Sequence, residues 1–418
     1  VVRYAIEGGY PLRGTVRVSG SKNASLAIIA ASIMTSGVTV LEGVPFISDV
    51  EVMISIVRHL GGEAAWVGPG NLSLRIPPRL GTEVPLAEAK RARASSLFLG
   101  SLIAARRRAE VPLPGGCNLG PRPLDLHLKG LAALGARVEM KGGVIVAEAD
   151  QMLGTRIYLD FPSVGATENL MMAACQARGQ TVIENAAKEP EVVDLANFLN
   201  SMGARIRGAG TDVIKVEGPT DLHPCAYAVI PDRIEAGTFL ILGAAAGGPV
   251  KVENVIPAHL QAVVAKLREA GAAVEEGEGW LEISRSRPLA PVDLKTMPYP
   301  GFPTDLQPPV LVLLTQAEGT SIVVETVFDH RFQVVQELQR MGANIRVEGS
   351  AAVVIGRTAL SGAEVQIPDL RAGAALTIAG LLAKGETILS GAGYIERGYE
   401  NWWSKLTDLG ARVRALSE

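Results

Sequence analysis

A helix end of the form apolar-x-x-(Leu/Met/Ala)-Gly-(Ala/Gly) recurs at Gly61, Gly135, Gly203, Gly271, Gly342 and Gly410, at intervals of 68 to 74 residues. Six copies of one unit therefore account for the 418 residues, and such a chain folds by stacking each unit on its neighbours. Upstream of each closing glycine lies an apolar strand, as in Gly179-Gln180-Thr181-Val182-Ile183-Glu184-Asn185, Gly248-Pro249-Val250-Lys251-Val252-Glu253-Asn254, Gly319-Thr320-Ser321-Ile322-Val323-Val324-Glu325 and Gly385-Glu386-Thr387-Ile388-Leu389-Ser390. A loop and a helix of 3.6-residue apolar period follow it. Before each strand the composition predicts an Ala/Leu-rich helix, over 23–35, 94–105, 166–177, 235–246, 305–317 and 371–383. After each Gly-Ala the chain alternates as strands, for example Ala136 to Met140 turning at Gly142-Gly143 into Val144 to Ala147. The last copy stops before this hairpin, and residues 1–21 read as the missing piece. The expectation is an α/β protein of two domains with three repeats each: 22–231, and 232–418 completed by 1–21.

Composition narrows the function. A net charge of −3 argues against nucleic-acid binding, so any polyanion has to be held by local basic clusters. Three scattered cysteines, Cys117, Cys175 and Cys225, make no disulfide framework and suit a reducing compartment. The start, Val1 to Glu7, has no signal-peptide core and no apolar run reaches a membrane span, so a cytoplasmic protein without membrane contact is expected. P-loop, nucleophile-elbow and zinc-ligand spacings are missing, and the five histidines form no cluster. No metal, no organic cofactor and no obligate protein partner is expected.

The repeat makes equivalent loops comparable, and chemically capable residues fall in two of them. The starts of the Ala-rich helices carry Lys22-Asn23, Arg93, Ser163-Val164-Gly165, Asp232-Arg233-Ile234-Glu235, Asp305 and Asp369-Leu370-Arg371. The loops after the central strands carry Asp49, Cys117 with Arg122, Glu189 and Glu191, His259, Asp329 with Arg331, and Glu396 with Arg397. Helix N-termini favour anions, and if two domains face each other these loops line one cleft. Taken singly, a Ser or Asp before a helix is an ordinary N-cap and a lone Arg an ordinary surface charge. Five arginines confined to two loop classes, at 93, 122, 331, 371 and 397, are harder to set aside, since planar bidentate donors suit phosphate and carboxylate. Cys175 and Cys225 read as small apolar residues. Cys117, in Pro114-Gly115-Gly116-Cys117-Asn118-Leu119-Gly120-Pro121-Arg122, sits on a glycine-rich loop with a basic neighbour, which marks a reactive thiol.

Over its full length the chain resembles the enolpyruvyl transferases, in particular those acting on UDP-N-acetylglucosamine. The resemblance rests on Gly20-Ser21-Lys22-Asn23-Ala24, Arg93-Ala94-Ser95, Pro114 to Cys117, Arg122-Pro123-Leu124-Asp125-Leu126-His127, Ser163-Val164-Gly165-Ala166-Thr167 and Glu189-Pro190-Glu191-Val192-Val193-Asp194. Pro231 to Thr238, Phe302-Pro303-Thr304-Asp305, Asp369-Leu370-Arg371 and Glu396-Arg397-Gly398-Tyr399-Glu400 complete it. It implies two inside-out α/β barrels that close on the substrates, and transfer of the enolpyruvyl group of phosphoenolpyruvate to the sugar 3-hydroxyl, the first committed step of peptidoglycan synthesis.

The same resemblance implies the roles. Lys22, Arg122 and Arg397 clamp the phosphate of phosphoenolpyruvate, Arg331 and Arg371 take its carboxylate, and Arg93 lies near this cluster. Asn23 and Asp305 hold the sugar, with Asp305 as the base. The uridine diphosphate lies on Arg122, Pro123, Leu124, Asp125, Leu126, His127 and the Ser163-Val164-Gly165 turn, with Val327 nearby. Glu189 and Asp232 join the substrate-binding set and Asp369 the catalytic one. Cys117 is similar in position to the family's loop cysteine, a proton donor alkylated by fosfomycin. Two departures stand out: Arg106-Arg107-Arg108 replaces a Phe-Gly turn, and Phe161-Pro162 precedes Ser163 where some members place a Lys. Rival readings are the shikimate-pathway sister enzyme, the RNA-terminal-phosphate cyclase group and a non-catalytic UDP-sugar-binding paralogue. The Cys117 loop and the run from Arg122 to His127 favour the UDP-sugar enzyme.

Overall fold

The structure, a computed structural model, describes residues 3–115 and 123–416. These fall into two compact units, one of residues up to Ser19 and from Pro231 onward, the other of residues between Gly20 and Ile230.

The third repeat illustrates the unit. Strand Arg156–Tyr158 leads through helix Val164–Ala174 into strand Gly179–Glu184, and the two strands pair in parallel with Arg156 opposite Val182. Helix Pro190–Ser201 follows, and strands Arg205–Arg207 and Val213–Gly218 return as an antiparallel hairpin. Val213–Gly218 pairs antiparallel with Gly179–Glu184. One parallel pair joined by a helix, plus a hairpin, is a βαβ crossover extended at one edge.

The first helix of each repeat is apolar all round and therefore buried. Ala24 to Ser32 of helix Lys22–Ser32, Ile234 to Ala245 of Arg233–Ala246 and Leu370 to Leu381 of Leu370–Leu382 are shielded from solvent throughout. These helices pack on one another inside each unit, and the sheets cover them with alternating burial. The second helices are amphipathic, as in Ser48–His59 and Gln261–Glu269. Each ends at a repeat glycine in the left-handed region: Gly61 at φ 101°, Gly135 at 101°, Gly203 at 107°, Gly271 at 95°, Gly342 at 95° and Gly410 at 96°. Side chains rarely adopt that conformation, which explains why all six copies keep a glycine there.

The expected inside-out α/β barrel is corrected by the sheets. Among the described residues there are six, three in each unit, and none closes or curls into a barrel. Five have four strands and one has three. With three or four strands each, both edges of every sheet stay unpaired with one another. The repeat survives as separate sheets over a shared helical core.

Three sheets take a strand from elsewhere in the chain. Gly14–Arg17 pairs in parallel with Val250–Glu253, and Ala226–Ala228 with Gly37–Glu42. Arg3–Glu7 lies between Glu386–Ser390 and Arg412–Leu416 and fills the hairpin position of the last repeat.

Candidate functional site

In the unit between Gly20 and Ile230, helix Lys22–Ser32 begins with a cation, which the helix dipole disfavours. Asp49 answers it: its Oδ2 lies 2.8 Å from Lys22 Nζ, with both side chains nearly buried. Asn23 Nδ2 reaches Glu191 Oε1 at 3.5 Å. Behind Glu191 the fully buried Glu168 has its pKa pushed well above the carboxylate range, by burial first and then by Glu191 and Glu189. Glu189 itself is buried at the start of helix Pro190–Ser201. In the same acidic layer Asp194 accepts from Tyr227 Oη at 2.6 Å and from Ile230 N at 3.3 Å, and burial raises its pKa to about 6.

Helix Asp125–Ala133 starts with exposed Asp125, preceded by exposed Pro123 and buried Leu124. Leu126 is half-buried and His127 only 5% exposed. Burial and then the Arg93 charge lower His127 to a pKa of about 4. Arg93 opens the 3-10 turn Arg93–Leu97. Ser163 caps helix Val164–Ala174, its Oγ accepting from Ala166 N at 3.3 Å, so Val164 and Gly165 form the first turn. The departure at Arg107 is resolved locally: it takes the left-handed φ of 59° that a glycine would, and Nη2 donates to the Gln176 carbonyl at 3.1 Å.

In the other unit a carboxylate sits between two guanidiniums. Asp305 Oδ1 is 2.8 Å from Arg331 Nη2, and Oδ2 is 3.0 Å from Arg371 Nη2 and 3.2 Å from Arg371 Nε. Both arginines are almost inaccessible, whereas the Asp305 side chain keeps 26% exposure. Burial alone would lower the Arg371 pKa, but Asp305, Tyr399 and Asp232 outweigh it and raise it. The guanidinium also stands 5.3 Å from the Tyr399 ring centroid. Asp232 and Asp369 act as N-caps: Asp232 accepts from Ile234 N and Glu235 N at 2.8 and 2.9 Å, and Asp369 from Arg371 N and Ala372 N at 2.8 and 3.1 Å. Arg397 ends the turn Ala392–Arg397 and is half-buried. Val327 is half-buried, its N–H given to Glu325.

Cys117 and Arg122 lie outside the described residues. Of the other two cysteines, Cys175 is fully buried with its thiol pushed up to about 12, and Cys225 is half-buried. Among the described residues no group of His, Cys, Asp and Glu is placed to hold a metal ion. No helix among them is long and apolar enough to cross a membrane.

The model of the EPSP synthase (3-phosphoshikimate 1-carboxyvinyltransferase) family matches residues 6–406. A UDP-N-acetylglucosamine 1-carboxyvinyltransferase 1 of Carboxydothermus hydrogenoformans is 52% identical over 99% of this chain and 98% of its own. The chain belongs to the EPSP synthase family, among the UDP-N-acetylglucosamine 1-carboxyvinyltransferases. A second such relative, from Bacillus cereus, is 51% identical over 98% of this chain and 95% of its own. Among solved structures, the enolpyruvyl transferase NikO from Streptomyces tendae is similar with a TM-score of 0.90 and 26% identity, covering 100% of this chain and 99% of that one. EPSP synthase from Acinetobacter baumannii has a TM-score of 0.77 at 19% identity, which shows the fold alone.

Three polar side chains escape sequence reasoning. Glu325, 4% exposed, gathers Thr296 Oγ1 at 2.8 Å, Val327 N at 2.8 Å, Phe328 N at 3.2 Å and Thr304 Oγ1 at 3.0 Å. It thereby ties the Val327 loop to the turn that carries Asp305. Asn169, inside the apolar helix Val164–Ala174, bonds to His127. Gln307, two residues past Asp305, is fully buried, and neither of its side-chain polar atoms has a hydrogen-bond partner among the described residues. For Asn169 and Gln307 the signal was a polar residue in an otherwise apolar helix, whereas Glu325 stands just past a strand end.

Proposed function

We infer that this chain transfers the enolpyruvyl group of phosphoenolpyruvate to the 3-hydroxyl of UDP-N-acetylglucosamine, releasing phosphate in the first committed step of peptidoglycan synthesis. The observation that carries this is the 52% identity over nearly the whole of both chains to a UDP-N-acetylglucosamine 1-carboxyvinyltransferase. The substrates of that step are cytoplasmic, so we place the protein in the cytoplasm.

In the addition step the alcohol oxygen bonds to C2 of phosphoenolpyruvate, a base takes the hydroxyl proton and an acid protonates the C3 methylene. In the elimination step C3 returns a proton, the C2–O bond to phosphate breaks and phosphate leaves. Asp305 is our base and Cys117 our acid. Arg331 and Arg371 receive the carboxylate of phosphoenolpyruvate, and Lys22, Arg122 and Arg397 its phosphate, where fixed cations stabilise the leaving group. Asn23 and Asp305 hold the sugar, with Glu189 and Asp232 in the binding set. The nucleotide lies on Pro123 to His127 and Ser163 to Gly165, with Val327 beside it.

The clamp on Asp305 supports a sequence of events. A carboxylate bonded to two guanidiniums is a weak base, because both stabilise its charged form. A substrate carboxylate competes for the same two arginines. As it draws them away, Asp305 recovers a lone pair and its basicity rises when the reaction needs it.

Phosphate release from phosphoenolpyruvate with UDP-N-acetylglucosamine, and with 3-phosphoshikimate as parallel acceptor, tests the reading. Release with the UDP-sugar alone supports it. Asp305→Asn and Cys117→Ala should each lower kcat by about 10²- to 10⁴-fold, the usual contribution of a general base or acid. Turnover of 3-phosphoshikimate instead would move the chain to the sister enzymes, and release with neither acceptor from folded protein would reject the activity.

A further inference from the structure

The Asn169 side chain joins three of the helical elements of its unit, and its orientation is determined. Oδ1 accepts from Gly100 N at 2.6 Å, while Nδ2 donates to the Ser96 carbonyl at 3.0 Å and lies 2.8 Å from His127 Nδ1. A backbone N–H only donates and a carbonyl only accepts, so rotating the amide would oppose donor to donor and acceptor to acceptor. Nδ2 therefore directs its second hydrogen at His127 Nδ1, which must offer a lone pair. Asn169 is fully buried, and the contact with Gly100 is so close that a Cβ at position 100 would lie 2.3 Å from the Asn169 carbonyl oxygen.

The remaining proton of His127 must then sit on Nε2. That edge of the ring lies against the first turn of helix Val164–Ala174: a Cβ at Gly165 would meet His127 Cε1 at 3.0 Å and Nε2 at 3.5 Å. The ring is buried and faces the Arg93 charge, both of which keep it neutral. One ring N–H thus stands beside the backbone N–H groups of a helix start.

We propose that Asn169 is a positioning residue that fixes His127 as the neutral Nε2–H tautomer, so that this N–H recognises an acceptor oxygen of the nucleotide diphosphate. The recognition half rests on the reading above that the nucleotide lies on Pro123 to His127 and Ser163 to Gly165. A neutral N–H donor presents one direction and one polarity, and it does not change with pH near neutrality.

Asn169→Asp removes the donor while nearly keeping the shape. A carboxylate facing Nδ1 draws the proton there, giving either the opposite tautomer or the imidazolium. The experiment is long-range proton–nitrogen correlation of histidine-labelled protein, with the His127 signals identified by their loss in His127→Gln. The wild type should show a bare Nδ1 and a protonated Nε2, unchanged across the ordinary histidine value of about 6.5. Asn169→Asp should move a proton to Nδ1 and raise KM for the UDP-sugar about tenfold, the equivalent of one hydrogen bond, with KM for phosphoenolpyruvate much less affected.

A wild-type ring protonated on Nδ1, or titrating near its ordinary value, overturns the tautomer assignment, and this result needs no variant to fold. Addition of UDP should shift the His127 Nε2 signal. Saturation with UDP that leaves both His127 nitrogens unmoved overturns the nucleotide reading while the tautomer stands. An Nδ1–H ring that still responds to UDP sinks the inference and spares the reading.

Discussion

Replacing Glu325 should damage both stability and catalysis. Its Oε1 receives Thr296 Oγ1, Val327 N and Phe328 N, and its Oε2 receives Thr304 Oγ1, with almost no solvent access. In Glu325→Ala the two hydroxyls can rotate toward other acceptors, but the two backbone N–H groups cannot. Each buried donor left unsatisfied costs about 1–3 kcal/mol, and since Val327 and Phe328 are only half-buried the loss for the two should lie toward the lower end, about 2–4 kcal/mol in all. Glu325→Gln keeps an amide oxygen for the three donors at Oε1 and loses only their charge reinforcement, so about 1–2 kcal/mol is expected. Urea unfolding followed by tryptophan fluorescence measures this, because Trp280, Trp402 and Trp403, three of the four tryptophans, lie in the same unit. The kinetic effect follows from Thr304, whose carbonyl accepts from Arg331 Nε at 3.3 Å and whose neighbour is Asp305. If Asp305 is the base, as proposed, a displacement of about 1 Å there should lower kcat by roughly a hundredfold. Glu325→Ala with a wild-type urea midpoint and wild-type kcat would refute the claim that this carboxylate organises the Asp305 turn.

Other consequences are equally open to measurement. Asp369→Ser keeps a good N-cap for helix Leu370–Leu382 and removes the charge, so the urea midpoint should hardly move while kcat falls if the carboxylate takes part in the chemistry; unchanged kcat would reduce Asp369 to a cap. His127 has a folded pKa of about 4, below its unfolded value of about 6.5, so its contribution is complete above pH 6.5 and is lost as the pH falls toward 4. The stability of wild type relative to His127→Gln should decline by about 1.4 kcal/mol per pH unit below 6.5, and a flat difference would contradict the buried neutral ring. Gly61→Ala has no neighbour within 4 Å of the added Cβ but inherits φ of 101°, so backbone strain alone should cost about 1–2 kcal/mol in thermal or urea unfolding.

The repeat was legible because its period is enforced by backbone conformation: six glycines needed at one left-handed position are visible in any sequence. The buried helices were legible for a similar reason, as no other environment suits such long apolar runs. Their starts were less so, since two of the six, at Arg93 and Thr304, open with a 3-10 turn. Sheet closure was not legible at all. Local alternation defines strands, and the barrel came with the family resemblance rather than from any strand count. Glu325 and Asn169 were missed because a polar residue at a strand end or in a helix looks the same from the sequence whether it faces water or binds the core.

The six helix starts also explain how one repeat yields different chemistry. Ser21, Ser163, Asp232 and Asp369 each accept backbone N–H groups of the helix that follows, so at least one side-chain oxygen is committed to capping. Asp305 is different: it lies inside the turn Thr304–Leu306, which has no side-chain cap, and both its oxygens face arginines instead. A tighter 3-10 turn satisfies early helix donors through the backbone. The side chain at that start is thereby released from the local task that carboxylates perform at its two counterparts. Oδ2 of Asp305 receives two N–H bonds from Arg371 instead, but these come from a side chain that a substrate carboxylate can draw away, whereas the backbone N–H groups held by a cap stay in place. The change from a cap to a turn separates Asp305 from Asp232 and Asp369 on geometry, and it is the local event on which our assignment of Asp305 as the base depends.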